Sequence, residues 1–417
     1  MTSRRVVVTG IGALTPIGNN VQDYWNALSK GVSGAAPITR FDASKFKTKF
    51  ACEIKNFDVT SFIDRKESRR MDPYSQYALV TTDEAIKDSG LDLEKVNKNR
   101  AAVIWGSGIG GLSTFHSEVS GYAKGDGTPR FSPFFIPMMI ADIAAGLLSI
   151  KYGFRGPNFA VVSACASSTN AISEGYLYIK AGKADLAITG GSEASVCEPA
   201  MGGFNSMKAL SERNDDPLTA SRPYDLNRDG FVLGEGGGTL ILEELEHAKA
   251  RGAKIYAEII GCGASADAYH MTAPHPEGLG AKLVMEMALN EAGIKPEEVH
   301  YINTHGTSTP LGDPQEIKAI QNLFGESAYQ LNISSTKSMT GHLLGGAGAI
   351  EAIASLMAIE KGIVPPTINH STPDPEIDSK LNLTFNKAQH RDVKVALSNT
   401  FGFGGHNASV LFRKLED

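Results

Sequence analysis

Short β-branched runs that end in small residues alternate with helical periodicities along the whole chain. The runs are VVVTG at 6–10, AAVIWGSG at 101–108, FAVVSAC at 159–165 and DLAITGG at 185–191. Their apolar positions are consecutive rather than alternate, which predicts strands buried on both faces. Between them, apolar spacing of three and four predicts helices over 72–90, 166–182, 279–293 and 342–362. Each ends on a glycine, the residue that most readily takes the left-handed turn after a helix. The alternation predicts an α/β fold around a buried sheet.

One long-range repeat adds to this pattern. GFVLGEGGGTLILEEL at 230–245 lays over TFGFGGHNASVLFRKL at 400–415 with a constant shift of 170, pairing Phe231 with Phe401 and Gly234 with Gly404. The overlay suggests two similar α/β halves, 1–252 and 253–417, each sending a glycine-rich loop to one central site.

Composition narrows the class. A chain of 417 residues that is 42% hydrophobic and 21% charged has apolar material for a large core. Its 46 acidic against 40 basic residues disfavour a sequence-independent nucleic-acid binder, and an acidic partner would need a local basic patch. Cys52, Cys165, Cys197 and Cys262 form no CxxC pair, so neither a disulfide framework nor a thiolate zinc site is expected. The apolar run at the N-terminus stops at Thr9, too short for a signal or a membrane span, so a soluble cytoplasmic protein without a membrane partner is expected.

Three motifs mislead. Gly106, Gly108 and Gly111 make a GxGxxG, and Gly10-Ile11-Gly12 follows another strand, but neither has an acidic residue about 20 positions on within a βαβ unit, as a dinucleotide site needs. Asp225, Asn227, Asp229 and Gly230 begin like a calcium loop whose twelfth position is Gly236 instead of glutamate. The ten histidines show no compact ligand spacing, so no metal is expected.

The residues that carry chemistry stand at glycine-bordered junctions. Cys165 ends an apolar run and precedes a helix rich in small residues, a setting in which the helix dipole favours the thiolate. Local sequence leaves a nucleophile and a buried structural cysteine both open. His305 lies in YINTHGTSTPLGD, and His342 begins the predicted helix at 342–362. Imidazoles there could donate hydrogen bonds to a thioester oxygen or take up a proton. The loop Asn399 to His406 sets Phe401 and Phe403 among glycines, as a lid over an apolar chain would.

Taken together, SACASS, NTHGTSTPLGD, STKSMTGHLLGGAGAIE and NTFGFGGHN make the chain resemble the β-ketoacyl-acyl-carrier-protein synthases of the thiolase-like fold, with the type II elongating members most similar. The resemblance covers essentially residues 3–415. It implies a layered αβαβα architecture and a decarboxylative condensation that lengthens a fatty acyl chain by two carbons. Cys165 is the residue acylated in that family, His305 and His342 assist malonyl decarboxylation, and Lys337 and Glu351 form a supporting ion pair. The oxyanion hole would use the backbone N–H groups of Cys165 and Phe403. Phe401, Phe403, Ile109 and Phe135 would gate or line the acyl pocket. Thr307, Thr309 and Thr272 would hold the pantetheine arm.

No cofactor of its own is implied, since phosphopantetheine arrives on the acyl carrier protein. That carrier is the implied partner, with Lys66, Arg69 and Arg70 as its docking patch, and the family suggests a homodimer. Phe134, Phe135, Ile136, Met138 and Met139 could line a tunnel or belong to a core. His406 stands where some relatives have threonine. The alternatives are a specialised polyketide-type ketosynthase, a thiolase, and a non-catalytic partner subunit. A thiolase would need a second catalytic cysteine near the C-terminal glycine loop, and none is there.

Overall fold

The computed structural model describes residues 4–416. Strand β1 (Val6–Leu14) opens the fold, and β2 (Ala36–Pro37) and β3 (Phe50–Ala51) form a small ribbon. Next come β4 (Ala101–Gly106), β5 (Asn158–Val161), β6 (Leu186–Glu193) and β7 (Gly236–Glu244). The second half supplies β8 (Ala257–Ala266), β9 (Tyr301–Asn303) and β10 (Asn332–Ser334). A ribbon of β11 (Ile363–Val364) and β12 (Gln389–His390) precedes β13 (Val395–Gly402) and β14 (His406–Arg413).

Ten of these strands pair in the order β10-β9-β13-β14-β8-β1-β7-β6-β4-β5. The order is symmetric about the short antiparallel contact of β8 with β1, where only Val6 to Val8 pair with Ala257 to Ile259. On each side two antiparallel pairings are followed by two parallel ones: β1 to β7 to β6 to β4 to β5, and β8 to β14 to β13 to β9 to β10. The 170-residue overlay puts β7 onto β14, which hold equivalent places in the two sides.

Helices cover both faces and also lie between the halves. Pro73–Ser89 packs on β1, β7 and β6, and Leu279–Ala292 packs on β8 and β14. The central layer is Ser167–Lys180 with Ala347–Lys361, each touching strands of both sides. Every residue of the second from Ala347 to Ile359 is buried, as befits a helix apolar on all faces. Asp72 caps the helix at Pro73, and Gly90 closes it in the left-handed conformation, as the terminal glycine predicts.

The glycines of β1 have a packing reason rather than a nucleotide-binding one. A Cβ on Gly10 or Gly12 would overlap the carbonyl oxygens of Ala85 or Thr81, so their absence lets the helix Pro73–Ser89 settle on the strand. Gly261 and Gly263 of β8 do the same beneath Ala288 and Val284. This second pair, spelled GCG in the sequence, is a repeat signal that the 170-residue overlay does not include.

Three local expectations change. The run at 159–165 is a strand only to Val161, and Cys165 sits beyond it in the single 3-10 turn Ala164–Ala166. The helix predicted from 342 begins at Ala347, because Lys337–Thr340 and Leu344–Gly346 form separate turns. His342 is therefore extended, not helical, and bridges Leu233. Phe134 and Ile136 are exposed, so this segment is not core. The calcium-like loop is tied to a distant segment instead, with Asp225 accepting from the N–H groups of Asn227, Ser371 and Thr372.

Candidate active site

The turn that carries Cys165 is built to hold one geometry. Ala164 takes a left-handed φ of 51°, unusual for a residue with a side chain. Ser167 Oγ accepts from Ser163 N–H at 2.9 Å and donates to Ala164 O at 2.7 Å, while Asn170 donates to Ser163 Oγ at 2.7 Å. The thiol then points away from the strand at the head of the helix Ser167–Lys180. Leu344 repeats the motif in the second half, with φ 47°, a 3-10 turn and a central helix.

His342 Nε2 lies 3.0 Å from Cys165 Sγ. Its extended backbone donates to Val232 O at 2.8 Å and accepts from Gly234 N–H at 2.9 Å, so pairing with one neighbouring segment fixes the main chain that carries the ring. The ring meets Phe231 and His305 edge-on, at centroid distances of 5.4 and 5.2 Å. His305 follows β9 and packs against Phe401 at 5.7 Å. The N–H groups of His305 and Gly306 both donate to the carboxylate of Glu316, at 2.9 and 2.8 Å.

Electrostatics follow from burial. Burial, then the Lys337 charge and the His342 ring, hold His305 well below the usual imidazole range. Burial and Lys337 do the same to His342, so both rings are neutral at neutral pH. The sequence setting of Cys165 suggested a lowered pKa. In the folded chain burial pushes the thiol up to about 12, outweighing Lys337 and the N–H of Phe403 that oppose it. The resting group is thus a thiol with an imidazole nitrogen beside it. Lys337 is ion-paired with Glu351, both with under 2% exposure.

The lid runs from Phe401 through Gly402 to Phe403, and the Phe403 N–H lies on the side of the Cys165 thiol and favours its thiolate. It is tied to the loop at 267–275. Gly404 N–H donates to Met271 O at 2.7 Å, Asp267 N–H donates to Gly405 O at 2.9 Å, and Asn407 donates to the Asp267 carboxylate at 2.9 Å. Cys165, His305 and His342 lie in the wall of a cavity of about 580 Å³ that the lid partly covers.

Other expected site residues divide into two groups. Thr307, Thr309 and Thr272 line the cavity, with the first two hydroxyls 3.1 Å apart, and Ile109 lines it as well. Phe135 does not line it. It stacks on Phe131 at 5.5 Å and lies near Phe115, in an aromatic cluster at the surface. Lys66, Arg69 and Arg70 are exposed on and just after the four-residue helix Arg65–Ser68, with the Arg70 guanidinium 4.8 Å over Phe134. His406 is exposed at the start of β14.

Two buried carboxylates escaped the sequence reading. Glu193 accepts from the N–H groups of Gly108 at 2.8 Å and Gly345 at 3.1 Å, joining the loop after β4 to the lead-in of the second central helix. Burial pushes both Glu193 and Glu316 up to about 7 against these hydrogen bonds. Each left a signal in the sequence. Glu316 lies on the apolar stripe of its helix with Ile317 and Ile320, and Glu193 is the lone charge in LAITGGSEASVC. In the loop after β4 that resembles a nucleotide site, Gly108 and Ile109 donate their N–H groups to this carboxylate instead.

The family model for the beta-ketoacyl synthase N-terminal domain matches residues 3–248, and that for the C-terminal domain matches 256–371. The chain belongs to the beta-ketoacyl synthase family. It is a condensing acyltransferase with the thiolase-like ketosynthase fold. It is 52% identical over 415 residues to a 3-oxoacyl-[acyl-carrier-protein] synthase 2 of Staphylococcus aureus (strain COL), covering 99% of both chains. A protein of the same name from Synechocystis sp. is 51% identical over 416 residues, covering 100% of this chain and 99% of the relative.

Among solved structures, a beta-ketoacyl synthase from Burkholderia phymatum superposes with a TM-score of 0.92 at 34% identity, covering 99% of this chain and 100% of that one. A type II polyketide ketosynthase solved with its acyl-carrier protein gives 0.89, also at 34% identity and with full coverage of both chains.

Proposed function

We propose that this synthase condenses malonyl-acyl-carrier-protein with an acyl chain held on Cys165, lengthening fatty acids by two carbons. The observation that carries the reading is the 3.0 Å contact of His342 Nε2 with Cys165 Sγ, beside a second neutral imidazole and under the Phe403 N–H. His342 Nε2 takes the thiol proton as Cys165 attacks the acyl thioester, and returns it to the departing carrier thiol. The N–H groups of Cys165 and Phe403 receive the oxyanion. Malonyl-carrier then enters and loses carbon dioxide. Neutral His305 donates a hydrogen bond to the enolate oxygen, its carbon attacks the acyl-enzyme, and the expelled Cys165 thiolate takes back a proton from solvent by way of His342 Nε2.

Support for the substrate comes from the names of the relatives at 51–52% identity, which favour the fatty-acid reading over the polyketide one at 34%. No helix among the described residues is long and apolar enough to cross a membrane, which fits work in the cytoplasm. Phosphopantetheine reaches the threonine wall on the carrier, and the chain needs no cofactor of its own. Exposed Lys66, Arg69 and Arg70 offer the carrier a basic surface on a net acidic chain. A second copy of the chain covers the β5 edge of the sheet, where Val162 just beyond the strand is 60% exposed. Light scattering showing a monomer would overturn the dimer.

The activity is tested by incubating the purified chain with malonyl-carrier and a series of acyl-carriers and following ketoacyl-carrier product. Product from simple saturated acyl-carriers supports the reading, and turnover of polyketide-type thioesters alone would replace it. Charge reversal at Arg69 and Arg70 should raise the KM for the carrier substrate and spare reaction with a small thioester. Equal losses for both would locate carrier docking elsewhere.

A further inference from the structure

Cys165, His305 and His342 are also a set of metal donors. The sulfur and one ring nitrogen from each histidine all lie within 4.8 Å of one another, and all three residues are buried. No other group of three or more Cys, His, Asp or Glu donors among the described residues packs this closely. The sequence hid the set because its members are 140 and 37 positions apart.

One thiolate with two imidazoles suits zinc and similar thiophilic divalent ions. Tetrahedral zinc holds such donors roughly 3.3–3.6 Å apart. From their 3.0 Å contact, His342 Nε2 and Cys165 Sγ need separate by only about half an ångström. All three residues line the cavity, so the fourth position would open onto it. The Lys337 charge, which would repel a cation, is met by Glu351, and the Glu316 carboxylate also lines the cavity.

We infer that Cys165, His305 and His342 form an acquired three-ligand site for zinc or a like thiophilic divalent cation, whose occupation blocks the nucleophile. Binding exchanges the Cys165 S–H bond for a sulfur–metal bond and releases the proton to solvent. No electrons change hands, so a chelator reverses it. The set is not built as a resident centre. With Nε2 of His342 turned to the sulfur, its Nδ1 is buried without a protein partner, whereas the second nitrogen of a resident ligand usually donates to an acceptor. Lack of that support typically costs about 10–100-fold in affinity, which predicts an ion that comes and goes. The inference rests on the donor geometry and stands whether or not the proposed condensation is the chain's reaction.

The test uses the purified full-length chain and has two readouts independent of turnover. Cadmium is titrated while thiolate-to-cadmium charge-transfer absorption is followed, and zinc is titrated while iodoacetamide alkylation of the Cys165 peptide is followed by mass. The expected results are one cadmium per chain and zinc protection of Cys165 that a chelator removes. Cadmium binding should weaken about tenfold or more in His305→Ala and His342→Ala, each checked for folding by circular dichroism. Unchanged alkylation of native Cys165 under zinc overturns the inference without any variant. So does cadmium binding that is equally tight in the two folded histidine variants.

Discussion

Gly402 carries the lid across the nucleophile, and an alanine there tests what the lid is for. Its φ lies outside the left-handed region, so the backbone admits alanine and the effect is steric. The added Cβ would stand 2.8 Å from Ser163 O and 3.0 Å from Cys165 N. Ordinary contact is near 3.5 Å, so the lid must retreat by roughly half an ångström, taking the Phe403 N–H with it. Losing one oxyanion donor costs about 10²–10³ in rate, and a 1 Å misplacement about 10². Half that displacement predicts a fall in condensation of roughly 10- to 10²-fold, or about 1.4–2.7 kcal/mol in the barrier. Steady-state kinetics of Gly402→Ala should show kcat and kcat/KM falling together, because the interaction is made in the transition state. Thermal unfolding should show the variant still folded at the assay temperature, with a loss of no more than about 1–3 kcal/mol from the added contact. A folded variant with kcat within about twofold of the parent would refute the oxyanion role of Phe403, and a rise in KM alone would make the lid a binding element.

Cys165→Gln should lose condensation yet release carbon dioxide from malonyl-carrier, since both histidines and the Phe403 N–H remain; release no faster than in buffer would show that decarboxylation depends on the thiol. Lys337→Ala leaves the Glu351 carboxylate buried and unpaired, and urea unfolding should register a loss of about 3–5 kcal/mol. A loss under about 1 kcal/mol would mean that the pair is dispensable. Burial raises the Glu243 carboxyl, but Arg251, His247 and Thr9 outweigh burial and hold it at about 2 against an ordinary 4.5. Its folded pKa is depressed, so its contribution, on the order of 3 kcal/mol, is complete above pH 4.5 and fades as pH falls toward 2. Glu243→Gln should flatten that part of the stability profile, and a profile parallel to the parent's would contradict it.

Much of the fold was legible because its signals are local. The helix at Pro73–Ser89 shows itself through its apolar spacing and Gly90, both properties of neighbouring residues. What could not be read came from partners distant in sequence. Gly10 and Gly12 looked like nucleotide glycines until the helix above them was in place, and the glycine-rich turn after β4 acquired its purpose only from Glu193.

The same division holds at the site. Local motifs pointed to Cys165, His305 and His342, which the fold brings side by side. The charge state of Cys165 depends on burial that no local pattern reports, so the expected low pKa gave way to a raised one. The helix-like LLGGAGAIE predicts His342 at the start of a helix, whereas main-chain pairing with Val232 and Gly234 holds it extended. Phe135 carried an apolar pattern that fits a tunnel wall and a surface cluster equally well, and the fold places it in the cluster.

The central claim is that Cys165 carries the growing chain. The most direct measurement mixes the purified protein with acyl-carrier alone, without malonyl-carrier, and determines the mass of the Cys165 peptide. The account predicts an acyl adduct on Cys165 that disappears, with ketoacyl product, when malonyl-carrier is added. An unmodified Cys165 in a preparation that still makes product, or an adduct on Cys52, Cys197 or Cys262, would contradict it.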